Sequence, residues 1–515
     1  MKLFKWGMLL LIFNLAACAS NGPEGLSSLP KTQTAGTAET NEVDSIDSMS
    51  VGDLYYFDLS SGTASLEFEG DVSNARYVLI VQSLDNSSSN INLISVSQNA
   101  SMTFDQMLRD REKRPRPQNI EFDIAPDANT AKAIGDSAEF RVLTSISNTN
   151  LSTTVDATLR CEEDDILLYV DDSTGSDLLT DQDIETLCQQ FQYAAALEIS
   201  IFGEPSDING DGHVVILISN AVNALGASGG GIITGYFFSG DIDPFDPIYN
   251  PASNEMEIIY ILAPDPTGAY SSEAISKDFA MGNLMTAVVP HELQHAINYN
   301  QHKIINGTDE NSWLNEALSH FSEDLVGFGQ ENPSRMESFF EYPQDVRLIT
   351  ASSPDLAARG ASYSFLRFLY EQTDDPDQFL SNLLHSNLSG AENVVAAFDG
   401  SNPNFDDWSE FMRRWAIALV LTNGGISANE LFQYKPRTVN ETTGHYEGIC
   451  TICDTEDGRN TVLYGPAITE WISGNIELSL SGTATAFYSI ESPPNTITVE
   501  NTSETNVQGI LIRME

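Results

Sequence analysis

Apolar residues change their spacing several times along this chain, and each change predicts a different kind of element. From residue 51, L-Y-Y-F-D-L, A-S-L-E-F-E and A-R-Y-V-L-I-V alternate or cluster apolar positions between Gly, Asp and Asn. That texture predicts short strands and turns, hence a small β-sandwich over 51–130. F-R-V-L-T-S-I, T-V-D-A-T-L-R-C and D-I-L-L-Y-V-D-D give three more strands within 140–172. Residues 178–200 carry apolar positions at helical spacing, with Thr180 as the N-cap. V-V-I-L-I-S (214–219) and E-I-I-Y-I-L-A (257–263) read as buried strands. Trp313, Leu314, Ala317, Leu318, Phe321 and Leu325 then form an apolar stripe that predicts a packed helix over 313–326. A-S-Y-S-F-L-R-F-L-Y-E (361–371) and F-M-R-R-W-A-I-A-L-V-L-T (411–422) predict two more. From about 434 the chain turns Thr/Ser/Gly-rich, with I-E-L-S-L-S, A-F-Y-S-I, I-T-V-E and G-I-L-I-R-M. The expectation is an α+β domain over 138–432, strands first and helices after, between an N-terminal β module and a C-terminal β module over 433–515.

The start of the chain reads differently. Lys2 and Lys5 precede an apolar run to Leu15, which predicts a signal peptide over 1–17. The run is shorter than the roughly 20 apolar residues a membrane-spanning helix needs. It ends in Leu15-Ala16-Ala17-Cys18, which resembles a bacterial lipobox. That resemblance implies cleavage before Cys18, a lipid on its sulfur and attachment to the outer membrane or cell surface through that lipid. Residues 18–50 are rich in Ser, Thr, Gly, Asn and acidic residues without apolar periodicity, so a disordered tether is expected.

Charge narrows the partners. The 515 residues hold 24 Lys+Arg against 74 Asp+Glu, a net charge of −50. Such a field repels nucleic-acid phosphates and anionic lipid head groups. The one basic run, R-D-R-E-K-R-P-R at 109–116, reads as a solvated loop, with a cleavage-prone maturation site as the sharper alternative. Beyond Cys18, the cysteines are Cys161, Cys188, Cys450 and Cys453. In an exported protein they read as two disulfides, and sequence separation favours Cys161–Cys188 and Cys450–Cys453 among three possible pairings. Asp207, Asn209 and Asp211, followed by Gly212, match the first half of a calcium loop, but position 12 is Ile218 and not Glu. A structural Ca²⁺ site and a plain Asx/Gly turn fit these residues about equally.

The chemistry concentrates in A-V-V-P-H-E-L-Q-H-A-I-N-Y-N, residues 287–300, and W-L-N-E-A-L-S-H, residues 313–320. On a helix, His291 and His295 lie one turn apart on one face and can reach one ion. Glu292 projects about 100° round the helix from His291, beside the ion and not on it. Glu316 borders an apolar stripe, where an unpaired carboxylate is costly and a metal removes the cost. Two His and one Glu leave a fourth position for water, as catalytic zinc sites do. The expected roles are zinc ligands His291, His295 and Glu316, and general base Glu292. Tyr363 is the first choice for a second oxyanion donor and His320 the second. Glu323 and Asp324 read as partners for a ligating imidazole or as solvated groups. Pro290 lacks an N–H, so either the motif helix starts there or a longer helix from about Ser276 passes through it kinked. The apolar character of 279–289 favours the longer helix.

H-E-L-Q-H followed by W-L-N-E-A-L-S-H-F-S-E-D-L resembles the gluzincins, zinc peptidases whose third ligand is a Glu on a following helix. Together with the Asn/Asp/Gly loop, G-Y-F at 235–237, N-E-M-E-I-I-Y, H-E-L-Q-H-A-I-N-Y, W-L-N-E-A and A-S-Y-S-F-L-R-F-L-Y, the pattern resembles the hyicolysin-type bacterial neutral metallopeptidases over about 140–421. The resemblance implies a zincin-like catalytic domain, protein or peptide substrates, the same three ligands and base, and the strand at 257–263 as the edge on which a peptide lies extended. The Asp that thermolysin-type relatives place four residues after the Glu ligand is absent, because His320 stands there. W-L-N-E also resembles zinc aminopeptidases, but their G-x-M-E-N amine anchor is missing, so an endopeptidase is expected. A non-catalytic surface lipoprotein is a third reading, weakened by the presence of all four core residues.

Overall fold

Six strands make the sheet on which the chemistry rests. A computed structural model describes residues 40–515 apart from 61, 69–71, 73, 88, 91–102, 117–131, 176–177, 229–230, 351–353, 399–401, 403–404, 406, 455–460, 472–477 and 504. The leader, Cys18 and most of the expected tether lie outside the described residues. Among those described, no helix is long and apolar enough to cross a membrane.

The chain begins with β1 (Leu54–Asp58), β2 (Thr63–Glu67), β3 (Arg76–Ser83) and β4 (Ser89–Asn90), then a helix, α1 (Phe104–Glu112). β5 (Ser137–Leu143), β6 (Ser152–Glu162), β7 (Ile166–Asp171), α2 (Asp181–Phe202), β8 (Val214–Ser219), α3 (Asn220–Ser228), β9 (Gly235–Phe237) and β10 (Ile258–Leu262) follow. The sheet runs β5-β6-β7-β8-β10-β9, with β7, β8 and β10 parallel and β9 antiparallel to β10. Every residue of β7, β8 and β10 is buried, the pattern of parallel strands covered on both faces. Thr180 caps α2 by accepting from the Asp183 amide, and Cys161–Cys188 ties β6 to that helix.

The helical half comprises α4 (Lys277–Phe279), a π-helical stretch at Ala280–Met285, α5 (Thr286–Asn298), α6 (Ser312–Leu325), α7 (Asn332–Glu341), α8 (Leu356–Gln372), α9 (Pro376–Leu384), α10 (Gly390–Phe398) and α11 (Trp408–Leu421). Ser276 caps α4, and the helix then continues through Pro290, the longer of the two expected forms. The π-helical stretch Ala280–Met285 ends at the residue before α5, and Pro290 lies inside that helix. Trp313, Leu314, Ala317, Leu318 and Phe321 are at most 1% exposed, so the stripe buries α6 against its neighbours. Each of the buried Leu and Phe side chains contributes about 1.5–3 kcal/mol.

The two expected β modules share a sheet. After the hairpins β11 (Thr438–Val439) with β12 (Tyr446–Glu447) and β13 (Ile452–Asp454) with β14 (Val462–Tyr464) come β15 (Thr469–Trp471), β16 (Ser479–Leu480), β17 (Thr485–Glu491), β18 (Thr496–Glu500) and β19 (Val507–Arg513). N- and C-terminal strands interleave as β1-β19-β3-β17-β15, while β18 pairs β2 and β16 pairs β4. Alternation explains how this sheet is held. Val78, Ile80, Ile510 and Ile512 belong to the main core, whereas Tyr77, Leu79, Val81 and Leu511 form a second core. Buried Gln82 and Gln508 donate to the carbonyls of Met412 and Ser409 at 3.1 Å, fixing the sheet to α11.

Two further expectations need correction. Residues 40–50 are not a tether: Ile46 and Met49 are buried in the second core. The basic run is not a solvated loop either, because its first half is α1 and Arg109 is 3% exposed. Composition suggests solvent where the fold supplies carboxylates.

Candidate metal centre

α5 presents His291 and His295 from adjacent turns, with their Nε2 atoms 3.3 Å apart. α6 crosses beside it and brings Glu316 to both rings: Oε2 lies 3.6 Å from Nε2 of His291, and Oε1 3.7 Å from Nε2 of His295. Donors bound at about 2.0–2.2 Å to a tetrahedral ion sit about 3.3–3.6 Å apart. The three side chains fit one ion without rearrangement of the helices. Glu316 and His295 are 1% exposed, and Glu316 Oε2, which makes no hydrogen bond, faces the His291 ring and Arg359 Nη1, the latter at 3.3 Å, a setting that also suits a bound cation.

The far side of each ring is fixed. His291 Nδ1 lies 2.8 Å from Glu323 Oε1, and His295 Nδ1 lies 2.9 Å from Asn315 Oδ1. An oxygen holds Nδ1 of each ring, so Nε2 is the nitrogen that each ring turns to Glu316. Glu323, one turn beyond His320, thus holds the His291 ring from behind where the thermolysin-type Asp is absent. His320 packs edge-on against His291 with ring centroids 4.7 Å apart and meets the same Glu323 oxygen at 2.8 Å. Burial drives His320 down to about 3, so it stays neutral. His291, His320 and Glu323 also cluster closely, but their shared oxygen is spent on orienting the ring.

Glu292 leaves α5 toward the sheet, where its Oε2 accepts from the Phe237 amide at 2.8 Å. Burial raises its pKa, with His291 and Arg109 opposing. Burial would also raise Glu316, but Arg359 and the two histidines reverse this and hold it well below the usual carboxylate range. Arg359 Nη1 stands 3.3 Å from Glu316 Oε2, and Arg109 Nε 3.8 Å from Oε1.

Not every expected residue joins the cluster. Tyr363 is buried with its hydroxyl on Asp324, in a cavity of about 40 Å³ lined also by Gln330, Met336 and Arg437. Its neighbours are thus not the triad, and Arg359, one turn earlier on α8, is the donor that reaches Glu316. Asp324 is neither solvated nor bound to a ligand histidine; it pairs with Arg367 at 2.7 Å. The strand at 257–263 is second from the edge, because β9 caps it antiparallel, and the free edge is Gly235–Phe237. Asp207, Asn209 and Asp211 spend their side-chain oxygens on the amides of Gly212, Asp211 and His213. Lys132 Nζ lies 3.0 Å from Asp211, and these bonds are those of an Asx/Gly turn. Both favoured disulfides, Cys161–Cys188 and Cys450–Cys453, are formed. Sequence reasoning missed Arg109, Asn315 and Arg359; only Asn315 carried a signal, as the neighbour of Glu316 in W-L-N-E.

No protein-family model matches the chain. It is similar to the neutral metalloprotease ShpI of Staphylococcus hyicus, 25% identical over 238 residues, 42% of this chain. That match spans 48% of ShpI, so the chain covers about half the length of this curated relative.

Proposed function

We propose that this protein is a zinc-dependent endopeptidase that hydrolyses peptide bonds in proteins or peptides. The observation that carries the reading is the triad with its base: three buried donors at ion-sharing distance and Glu292 on the next position of the same helix. The likeness to a neutral metalloprotease supports it. His291, His295 and Glu316 would hold the ion. Bound zinc supplies Lewis acidity that brings the pKa of a coordinated water to about 7.

The protein's own groups do the rest. Glu292 takes a proton from the attacking water and passes it to the amine as the C–N bond breaks. Its raised pKa suits a group that must both accept and return a proton. A peptide lying along the free edge of β9 brings its carbonyl toward the triad, since the Phe237 amide already bonds Glu292. Arg359 is the cation we assign to the developing oxyanion, in the role the sequence offered to Tyr363. Lipid attachment through Cys18, and with it an outer-membrane or cell-surface location, is the reading the leader supports.

Metal analysis with cleavage of a peptide blocked at both ends tests the proposal. One zinc per chain and internal cleavage are expected. A zinc-loaded protein that releases only free amino-terminal residues would sink the endopeptidase reading. Intact mass of the membrane-extracted protein would test the lipid, because an unmodified Cys18 excludes it.

A further inference from the structure

The free edge of β9 is not open to a peptide in this structure. The segment from Thr103 to Arg116 bridges β9 and the loop after it to helices α6 and α8. Phe104 packs edge-on against Tyr236 of β9 with centroids 5.4 Å apart. Asp105 pairs with Arg359, Arg109 faces the ligand Glu316 at 3.8 Å, and Asn315 donates to Glu112 at 3.3 Å. Any peptide reaching Glu316 along β9 must take the place of this segment.

What anchors the segment is a receptor for guanidinium groups just beyond the edge strand. Asp243 is 5% exposed and receives two arginines: Arg116 Nε at 3.0 Å on Oδ1 and Arg111 Nη2 at 3.3 Å on Oδ2. Arg116 Nη2 also donates to the Ile242 carbonyl at 2.9 Å. Arg111 Nη2 donates to Asn250 Oδ1 at 3.4 Å and lies over the Phe238 ring at 5.9 Å. A buried carboxylate, a carbonyl, an amide oxygen and an aromatic face form a site that prefers arginine to any neutral side chain. Asp243 lies six residues along the chain from Phe237, whose amide holds the base.

We propose that Asp243, the Ile242 carbonyl, Asn250 and Phe238 form a subsite for an arginine side chain of the peptide substrate, held here by the chain's own Arg111 and Arg116. This rests on the peptidase reading and deepens it. The sequence gives the occupant its fitness: five of the eight residues 109–116 are basic in a chain of net charge −50. α1 therefore blocks the cleft until it is displaced, and a substrate with a matching arginine competes for its anchor.

Binding without turnover tests the subsite. The full zinc-loaded chain carrying E292Q, R111A and R116A is titrated with short neutral peptides in which one arginine, or one citrulline of the same shape, is moved through each position. At one position arginine should bind about tenfold tighter than citrulline, and adding D243N should bring the ratio to about one. Equal affinities at every position, or a preference that survives D243N, would overturn the proposal. Because removing both arginines could loosen the fold, D243N is also read alone in the full chain. Hydrogen-exchange protection over 104–112 should fall, and unchanged protection would show that Asp243 does not hold the segment. Turnover by R111A/R116A with Glu292 intact is read separately: an intact arginine preference without cleavage of any peptide would sink the peptidase reading while leaving a peptide-binding subsite.

Discussion

The backbone amide of Phe237 donates to Glu292 Oε2 at 2.8 Å, joining the last strand of the sheet to the helix that carries His291 and His295. One bond thus fixes Glu292 against β9, which the proposed mechanism uses as base and substrate edge. Replacing Glu292 by Gln keeps the side chain's size and removes its basicity. Zinc content should stay at that of the unaltered chain, while peptide hydrolysis falls by about 10²–10⁴-fold. Hydrolysis within a factor of two of the unaltered chain would remove Glu292 from the mechanism.

Glu316 is the one member of the triad that α6 supplies. Glu316→Gln leaves its size unchanged but withdraws the anion from between two histidines and Arg359. Zinc retained after dialysis should drop well below that of the unaltered chain, as atomic absorption would read. Unchanged stoichiometry would show the ion held without it.

Asn315 touches no ion and should still matter. Its Oδ1 accepts from His295 Nδ1 at 2.9 Å and fixes which nitrogen faces Glu316. Asn315→Ala should weaken zinc binding by about 10–100-fold in a competition titration with a chelator. An unaltered affinity would mean that Ser319 Oγ, 3.1 Å from the same Nδ1, orients the ring without Asn315.

Arg359 is assigned a role in the transition state. Arg359→Lys should lower kcat by about 10²–10³-fold with KM little changed, because an ammonium cannot reproduce the planar fork. A change confined to KM would place Arg359 in ground-state binding instead.

Away from the triad, Asp241 gives a pH signature. It is fully buried, and burial pushes its pKa up to about 8 despite hydrogen bonds from Tyr260 and Asn254. In the unfolded chain an Asp ionises near pH 4, so the folded state holds its proton over the window from about 4 to 8. Its contribution to stability therefore falls as pH rises through that window. Asp241→Asn should gain stability relative to the unaltered chain between pH 5 and pH 8, followed by thermal melting. A difference in Tm that does not vary with pH would refute the assignment.

The sequence by itself determined the local chemistry of this protein. H-E-x-x-H needs only helical periodicity to put two imidazoles on one face, and the stripe from Trp313 to Leu325 needs only burial to make α6 a helix that places Glu316 inward. Both disulfides, the Thr180 cap and the continuous helix through Pro290 were legible for the same reason: each depends on residues near one another in the chain. What lies far apart in the chain was decided by tertiary structure. Strand composition cannot say that β3 pairs with β17 and β19 across some 400 residues, nor that β9 rather than β10 is the free edge. Charge pattern cannot say that Arg109 meets Glu316, because a basic run looks equally solvated until the fold surrounds it with carboxylates. Tyr363 shows the limit most directly. Its helix was predicted, but the rotation of α8 turns that side chain to Asp324 and gives the place beside the ligand to Arg359.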